Sequence, residues 1–320
     1  MGGSTKQALL QALSAAEGAY ISGQQLAEAL GVSRAAVHKA AQALLAQGYA
    51  LDSAPRRGYR LAGGDPFCAE AVGLYPAPIH IYDTLQSSNL TAKQLALGGA
   101  PHGTLVLTAH QKAGRGRLGR RFESPAGKGV YLSLILRPAL SAADAQSVTI
   151  SAAVAVARAV KALCGLELGI KWVNDLYYQG RKVCGILTEA GTDMECGQLE
   201  WLVVGIGLNL TTSSADWPEE LARTAGSLYP GGPAPVSRAV LAGAIARELL
   251  SLCPAFDCLD EYRARCFVPG HWVTVCTGAD TYAAKALFID DAGRLVVERE
   301  GGRQVALQHG EVSIRPTRTG

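Results

Sequence analysis

The sequence predicts a multidomain α/β protein, in which a short helical region precedes a larger region of alternating strands and helices. A chain of 320 residues is long enough for two or three domains with buried cores. Apolar residues recur at helical spacing up to Leu45. From Ile79 onward, short apolar strands alternate with a long apolar helix, which is typical of an α/β domain with a mixed sheet. Gly63-Gly64-Asp65-Pro66 has the composition of a linker.

The first region carries the signals of a helix-turn-helix. Ser22 can cap a helix that runs to Leu30, and Gly31 can form the tight turn that ends it. Ser33 can then cap a third helix, whose inner face would be apolar around Val37. The second helix also contains a small residue, and its spacing from the turn glycine Gly31 and the apolar Val37 is the spacing that lets two helices cross closely.

The same region predicts a DNA-binding face. Residues 1–63 hold six basic and three acidic residues and the rest of the chain is balanced, so the net charge of +3 lies here. Segment 49–61 is predicted to form a hairpin that would lie on DNA as a wing. The side chains expected to contact DNA are Ser33, Arg34, His38, Lys39, Arg56 and Arg57. The alternative is a helical module that binds only protein.

Cysteine usage and the N-terminal sequence indicate a cytoplasmic protein. The eight cysteines form no CxxC pair and show no zinc-ligand spacing, which favours reduced thiols. No apolar segment follows a basic start near Met1, as a secretory signal would require. The most apolar stretch, residues 148–166, contains Arg158 and Lys161 and is therefore not expected to span a membrane.

A loop of alternating glycine and arginine, Gly114-Arg115-Gly116-Arg117-Leu118-Gly119-Arg120, is the most informative segment of the chain. Glycine lets a backbone approach a ligand closely and arginine is permanently charged, so this loop is suited to holding an anion. Its spacing also fits the dinucleotide fingerprint GxGxxG, which requires a following helix and an acidic residue after the next strand. Pro125 and Gly127 indicate a loop where the fingerprint requires a helix. The next strand is followed by Arg137-Pro138, where the fingerprint requires an acidic residue. Taken alone, the motif would also fit a solvated basic loop.

Three further segments carry polar groups suited to a ligand site. Ser87-Ser88-Asn89 precedes a predicted helix, and Gly205-Ile206-Gly207-Leu208-Asn209 ends a predicted strand. A hairpin with strands 170–178 and 182–189 is predicted to carry Lys171-Trp172, Asn174-Asp175 and Lys182. Taken singly, each segment has an ordinary explanation as a helix cap, a turn or a solvated lysine.

In this order, the segments together resemble the biotin protein ligase family. The match runs through Ser87-Ser88-Asn89, Gln111-x-x-Gly114-Arg115-Gly116-Arg117-x-Gly119-Arg120, Lys171-Trp172-x-Asn174-Asp175-Leu176, Arg181-Lys182-x-x-Gly185-Ile186-Leu187-x-Glu189 and Gly205-x-Gly207-x-Asn209. The resemblance implies a winged helix-turn-helix at residues 1–64, a catalytic domain with a class II synthetase-like mixed sheet at 65–267, and an SH3-like β-barrel at 268–320.

The resemblance also implies a reaction and a regulatory role. In the family, biotin and ATP give biotinyl-5′-AMP, with Mg²⁺ as the metal ion, and a lysine of the biotin carboxyl carrier protein of acetyl-CoA carboxylase then takes the biotin. In the branch with a winged helix, the adenylate promotes homodimerisation, and the dimer binds operator DNA and represses biotin synthesis genes. Residues 213–227 resemble the segment that covers the adenylate.

The resemblance assigns roles to residues of this chain. The catalytic residues implied are Lys182, Arg117 and Arg115. Biotin would be bound by Ser87, Ser88, Asn89, Gln111, Gly114, Arg115, Gly116, Arg117, Lys182 and Gly185. The nucleotide would be bound by Arg117, Arg120, Lys171, Trp172, Asn174 and Asn209, and Mg²⁺ by Asp175.

Departures from the family pattern leave the polar groups of this site in place. Val173 stands where proline is usual, Ser88 where threonine is usual, and Phe122 where tryptophan is common. Cys184 is expected to pack in the core as a small apolar side chain. The alternatives are a DNA-binding biotin sensor without ligase activity, a ligase that does not bind operator DNA, and a lipoate ligase, since lipoate ligases share the fold.

Overall fold

The computed structural model describes residues 5–16, 18–141, 145–192, 199–253, 255–278, 280–308 and 310–314. The chain divides into two compact units. The first comprises Met1–Leu74 and Val236–Val240, and the second comprises Tyr75–Pro235 and Leu241–Gly320.

The first unit is a helix-turn-helix followed by a hairpin. Ser22 and Gln25 form a reciprocal capping box at the second helix, and Gly31 ends that helix at a φ of 64°. The hydroxyl of Ser33 accepts the backbone N–H of Ala36 and so caps the third helix, as the sequence predicts. The elements are α1 (Thr5–Ala15), α2 (Gly23–Leu30), α3 (Arg34–Ala46), β1 (Tyr49–Ala54), β2 (Gly58–Gly64) and α4 (Ala69–Val72).

This unit extends beyond residue 64, where the sequence places a linker. The backbone N–H of Asp65 donates to Gly48, and the carboxylate of Asp65 accepts hydrogen bonds from the backbone and guanidinium of Arg238. The guanidinium of Arg238 also lies 4.5 Å from the ring centroid of Phe67. These contacts hold the segment after β2 within the first unit.

The second unit contains a mixed sheet and, after it, an antiparallel sheet. Its helices are α5 (Ser88–Leu97), α6 (Ala145–Cys164), α7 (Glu219–Ala222), α8 (Arg238–Leu252, which begins in the first unit) and α9 (Leu259–Arg265). The strands of the mixed sheet are β3 (Ile79–Tyr82), β4 (Leu105–Thr108), β5 (Gly129–Leu136), β6 (Gly169–Lys171), β7 (Asp175–Tyr178), β8 (Arg181–Thr192) and β9 (Leu199–Asn209). Among the described residues, these strands lie in the order β3-β4-β5-β9-β8-β7-β6, with β3 and β4 parallel.

One strand differs from the sequence prediction. The expected continuous strand 170–178 is two strands, because the chain reverses so that Ile170 pairs with Leu176 and Lys171 with Asp175. The turn contains a cis peptide bond between Trp172 and Val173. The turn brings Lys171 and Asp175 opposite each other on paired strands, whereas one continuous strand would hold them apart.

The long apolar helix α6 belongs to the core of this unit. It is the one helix among the described residues that is long and apolar enough to cross a membrane, and 61% of its most apolar window is buried inside the protein. Its side chains from Ser151 to Ala157 are almost all inaccessible to solvent. This burial is the ordinary reason for a core helix to be apolar.

The C-terminal strands form a five-stranded antiparallel sheet in the described residues, consistent with an SH3-like barrel. They are β10 (Trp272–Cys276), β11 (Thr281–Ile289), β12 (Leu295–Arg299), β13 (Gln304–Leu307) and β14 (Glu311–Ile314), in the order β13-β12-β11-β10-β14. The carbonyl of Gly293, in the turn after β11, accepts hydrogen bonds from Trp172 and Gln146. The turn after β11 therefore bonds the C-terminal sheet to the β6–β7 turn and to α6.

Candidate functional site

One cavity in the second unit gathers nearly all of the predicted site residues. Its volume is about 250 Å³. Its walls come from the start of α5, the Gly114–Arg120 loop, the β6–β8 strands, β9 and the start of β14. The lining residues predicted from sequence are Ser87, Ser88, Asn89, Gln111, Arg115, Gly116, Arg117, Arg120, Lys171, Trp172, Asn174, Asp175, Lys182 and Gly185.

One end of the cavity is a buried floor of neutral hydrogen-bonding groups. The amide oxygen of Gln111 accepts the backbone N–H of Ser88 at 2.8 Å, and its amide nitrogen donates to the hydroxyl of Ser124, also at 2.8 Å. Ser88 begins α5, so its position is set by the start of a helix. Ser88 and Gln111 are 5% and 8% exposed, so a ligand here meets groups already removed from water.

Asn89 anchors this floor to the neighbouring strands. Its amide nitrogen donates to the carboxylate of Glu189 at 2.9 Å and to the carbonyl of Leu187 at 3.2 Å. Its amide oxygen accepts from the hydroxyl of Ser133 at 2.6 Å. The amide is therefore fully used by the protein, and Asn89 holds the cavity wall together.

Glycines of β9 and of the loop make room for these contacts. A Cβ on Gly205 would lie 2.1 Å from the amide oxygen of Asn89, and one on Gly207 would lie 2.4 Å from the ring of Phe122. A Cβ on Gly114 would lie 2.4 Å from the carbonyl of Phe122. These three positions need glycine because another part of the protein approaches them closely. Gly114, which the sequence places in the biotin site, does not itself line the cavity.

The opposite end of the cavity is cationic. The Nζ of Lys182 on β8 lies 2.6 Å from the carboxylate of Asp175 on β7, since the two strands are paired neighbours. Lys171 also lines this end, and burial lowers the pKa of its amine, while the nearby carboxylates of Asp175 and Glu311 act in the opposite direction.

Arg117 and Arg120 of the loop form hydrogen bonds to residues at the start of β14. Arg120 forms two hydrogen bonds of 2.5 Å to the carboxylate of Glu311, and Arg117 donates to the carbonyl of Gly310 at 3.3 Å. Arg117 also donates to the amide oxygen of Asn174 at 3.0 Å. The hydrogen bonds from Arg120 lower the pKa of Glu311, against the effect of burial. Asn174 and the barrel therefore position the loop.

Asn209 does not line the cavity, although the sequence places it in the nucleotide site. Its amide nitrogen donates to the carbonyl of Gly226, and its amide oxygen is buried without a hydrogen-bond partner among the described residues. Segment 213–227 continues beside Lys182, whose backbone bonds to Thr224 and Gly226. Leu221, from α7, reaches the cavity wall.

The structure adds contacts that the sequence patterns did not predict. Ser133 and Ser124 complete the hydrogen bonds of the floor, Phe122 packs on Gly207, and Glu311 reaches the loop from the barrel. Ser133 lies in an apolar strand, where a single serine gives little signal. Glu311 lies 191 positions from Arg120 along the chain, so no local pattern links the two residues.

Cys184 is buried in the core, as the sequence predicts. It is 0% exposed, and burial raises the pKa of its thiol far above the usual range. A thiol in that state is a poor nucleophile.

The predicted DNA-contacting residues lie in the first unit. Arg34, His38 and Lys39 are exposed on α3, and Arg56 and Arg57 are exposed at the hairpin tip. His38 forms a 3.1 Å hydrogen bond with the hydroxyl of Tyr59 on β2, so the third helix and the hairpin are in direct contact. The guanidinium of Arg57 stacks 4.2 Å from the ring centroid of Tyr20.

The fold and the site define a class of protein with two parts, a helix-turn-helix unit and an α/β domain whose cavity is lined by a loop of glycine and arginine. Residues 82–209 match the biotin/lipoate A/B protein ligase family, and residues 5–60 match an HTH domain. The bifunctional ligase/repressor BirA of Bacillus spizizenii is 34% identical over 313 residues, covering 92% of this chain and 94% of the relative. BirA of Escherichia coli is 32% identical over 201 residues, 61% of each protein. The chain belongs to the BirA family of bifunctional ligase/repressors.

Solved structures support the same fold. The biotin protein ligase from Aquifex aeolicus in complex with biotin and ATP aligns with a TM-score of 0.60 and 24% identity, covering 75% of this chain and 99% of that one. The family resemblance and the fold class predicted from sequence are thus confirmed.

Proposed function

We propose that this chain uses ATP to attach biotin to a lysine of the biotin carboxyl carrier protein of acetyl-CoA carboxylase, and represses biotin synthesis genes through its helix-turn-helix unit. The observation that carries the ligase proposal is one cavity with a neutral hydrogen-bonding floor at one end and the Lys182 cation at the other. Biotin has the same two-ended character, with a ureido ring at one end and a carboxylate at the other.

The cationic end suits the first chemical step. A carboxylate must approach the α-phosphate of ATP, and both groups are anions. Lys182, Arg115 and Arg117 would neutralise this repulsion and the charge that develops in the transition state. The nucleotide would contact Arg120, Lys171, Trp172 and Asn174, with Asn209 placed behind the cavity wall. Asp175 is the counter-ion of Lys182 in this structure.

Mg²⁺ would bind at this site together with the phosphates of the nucleotide. Among the described residues, Asp175 and Glu311 are the acids that line the cavity, and no group of three metal-ligating side chains occurs. Mg²⁺ commonly keeps waters and binds through one or two carboxylates plus phosphate oxygens, so Asp175 could serve as a protein ligand. When bound, the ion would offset phosphate charge.

The regulatory proposal rests on the first unit and on the relatives. The exposed Arg34, Lys39 and Arg56 supply the positive charge that operator DNA requires. Homodimerisation with bound biotinyl-5′-AMP would place two such units on a palindromic operator, and a cytoplasmic location would give access to DNA and carrier alike.

The ligase proposal is tested by incubating the full chain with ATP, Mg²⁺, biotin and a biotin carrier domain, and measuring carrier mass. A mass gain of one biotin, absent without ATP, is expected, and no gain from a protein that binds biotin would identify a sensor without ligase activity. A parallel reaction with lipoate and its carrier should give no product, and lipoylation in place of biotinylation would identify a lipoate ligase.

The repressor proposal is tested by DNA binding with and without biotin and ATP. Binding to a palindromic sequence upstream of biotin genes should tighten when both are present. Arg34→Ala should weaken binding and lower the salt dependence by about one ion per protomer, whereas Arg60→Ala, already paired with Asp52, serves as the control. Absence of any DNA binding would leave a ligase that does not bind operator DNA.

A further inference from the structure

In the first unit, two arginines of the hairpin lie against the ring of a tyrosine from another segment. The guanidinium carbons of Arg57 and Arg60 lie 4.2 and 5.0 Å from the ring centroid of Tyr20. A cation at such a distance is attracted by the electron-rich face of an aromatic ring. Tyr20 precedes α2, so its ring supports hairpin side chains from outside the hairpin.

The backbone holds Tyr20 beside the hairpin. The next residue, Ile21, exchanges two hydrogen bonds of 2.9 Å with Tyr59 of β2. The two segments approach so closely that a Cβ on Gly58 would lie 2.1 Å from the carbonyl oxygen of Ile21. One residue further on, Ser22 caps α2. The position of Tyr20 is therefore set by backbone pairing and by a helix start, and not by the arginines.

The two arginines differ in what neutralises their charge. Arg60 donates from Nε and Nη2 to the carboxylate of Asp52, at 2.8 and 2.6 Å. Among the described residues, the side chain of Arg57 forms no hydrogen bond or ion pair, and it is exposed at the hairpin tip. A guanidinium carries its five N–H groups in its own plane, so contact with a ring leaves them free for an anion. Arg57 is thus held by a ring while its donors remain available.

The turn at the hairpin tip is a second observation that points to a role for its side chains. The backbone N–H of Arg57 donates to the carbonyl of Ala54 at 3.1 Å, which closes a four-residue turn. Pro55 and Arg56 are the central residues, and Arg56 has a φ of 64°. A type II turn normally has glycine or asparagine at that position. An arginine there is strained, and such strain is typical of residues whose side chains have a function.

We infer that Tyr20 is a positioning residue for operator binding: its ring holds the guanidinium of Arg57 so that it donates hydrogen bonds to a phosphate of the DNA backbone. This inference rests on the proposed repressor function and deepens it. An arginine already held against a ring loses less side-chain entropy on binding. Because the guanidinium stays beside a ring of its own unit, it meets the backbone of DNA and does not extend into a groove. A phosphate contact adds affinity without reading base sequence.

The test is a double-mutant cycle on the full chain with biotin and ATP present, using a duplex that carries the palindrome upstream of the biotin genes. Arg57→Ala should weaken binding about 5- to 20-fold per protomer and lower the salt dependence by about one ion. Tyr20→Leu should weaken binding about 2- to 5-fold per protomer, on the scale of an exposed cation–π contact. Tyr20→Phe keeps the ring and should restore nearly all of this loss. Each factor is squared in a dimer that binds with both units.

The cycle separates positioning from general damage to the unit. Because Tyr20 acts through Arg57, Tyr20→Leu should weaken binding by less than about 1.5-fold in a protein that already carries Arg57→Ala. The losses from Tyr20→Leu and Arg34→Ala, on α3, should instead add. Partial unfolding caused by Tyr20→Leu would add to both. Tyr282→Leu is the matched control, because it removes a similar contact of 3.8 Å to Arg299 in the C-terminal sheet, and it should bind DNA normally.

Additive losses for Tyr20→Leu and Arg57→Ala, or normal binding by Tyr20→Leu, would overturn the inference alone. A duplex of scrambled sequence, at the same salt concentration, tests the phosphate contact. Arg57→Ala should weaken binding to the palindrome and to the scrambled duplex by the same factor, and a loss confined to the palindrome would identify a base contact instead. Failure of wild type to bind either duplex would overturn the proposed repressor function together with this inference.

Discussion

The two ends of the cavity are built in opposite ways. At the floor, Ser88, Asn89 and Ser133 are at most 5% exposed, and their hydrogen bonds are made within the protein before a ligand arrives. At the cationic end, the side chains of Lys182 and Arg120 are 36% and 65% exposed and are held by single carboxylates. Buried neutral contacts are rigid and selective, while exposed ion pairs exchange partners at small cost.

This difference indicates a division of labour. A rigid floor is suited to holding one kind of head group. Under the proposed function, a cationic end whose carboxylates can be displaced would accept phosphates that differ in number and position between ATP and the adenylate. Substitutions at the two ends should therefore separate binding of biotin from the rate of adenylation.

The largest effect is expected from Lys182→Ala. Loss of its charge between carboxylate and phosphate should slow adenylation about 100- to 1,000-fold, as for other preorganised electrostatic groups. The measurement is biotin-dependent exchange of pyrophosphate into ATP. Lys285→Ala, on an exposed barrel strand, should retain full activity, and a fall of less than tenfold in Lys182→Ala would remove this residue from the chemistry.

Gly205→Ala should act on the floor alone. The added Cβ would displace Asn89, lowering stability by about 1–3 kcal/mol and weakening biotin binding by about tenfold or more. Thermal unfolding and biotin titration measure the two effects. Gly232→Ala, where a Cβ meets nothing within 4 Å, is the matched control. Normal biotin affinity in Gly205→Ala would show that Asn89 can shift without disturbing the binding of biotin at the floor.

Asp175→Asn should change metal dependence more than biotin binding. Loss of one carboxylate ligand should raise the Mg²⁺ concentration for half-maximal exchange by about tenfold, equivalent to about 1.4 kcal/mol. Biotin affinity should change by less than the Mg²⁺ requirement does, since the hydrogen bonds of the floor are untouched and only the partner of Lys182 is altered. Glu311→Gln, at the other acid of the cavity, is the comparison, and equal shifts in both variants would argue against a specific ligand.

The smallest effect is expected from Glu189→Gln, and it should depend on pH. Burial raises the pKa of Glu189, but hydrogen bonds from Lys93 and Asn89 outweigh it, so the pKa lies below the ordinary 4.5. The ionised form therefore stabilises the fold above about pH 4.5, and that contribution is lost as pH falls through the lowered pKa. The variant should be less stable by about 0.5–1 kcal/mol at pH 7.

Denaturant unfolding at a series of pH values from 7 downwards measures this difference. The difference in stability between wild type and Glu189→Gln should shrink as the pH falls below 4.5 and through the lowered pKa, because Glu189 then becomes protonated in the folded as well as the unfolded chain. A constant difference between the two proteins across this range would contradict the assignment.

The sequence predicted the fold and most of the cavity because those features are local or carried by motifs. Caps such as Ser22 and Ser33 act within one turn of helix, and the glycine-arginine loop is a continuous segment. The division of strand 170–178 was missed because its cause is pairing across the sheet, and no periodicity distinguishes two short strands from one long one. Ser133 and Glu311 act on residues 44 and 191 positions away, which no local pattern reports.

Asn209 shows what a motif leaves open. Its place in the Gly205-x-Gly207-x-Asn209 motif predicts contact with the nucleotide, which stays a prediction, and in the structure its amide nitrogen donates to Gly226 and the residue does not line the cavity. A motif identifies which residues matter together, whereas the direction of each side chain depends on packing.

The attachment of the loop arginines to Gly310 and Glu311 has a consequence for how the protein is made. These residues and Val312 leave the ribosome after every other residue that lines the cavity. Translation proceeds at roughly 5–20 residues per second, so on the order of 10 seconds separates Leu221 from Gly310. During that interval the nascent chain can fold its floor, but its arginines lack their final partners. An unfinished chain should therefore be able to hold biotin before it can hold an adenylate.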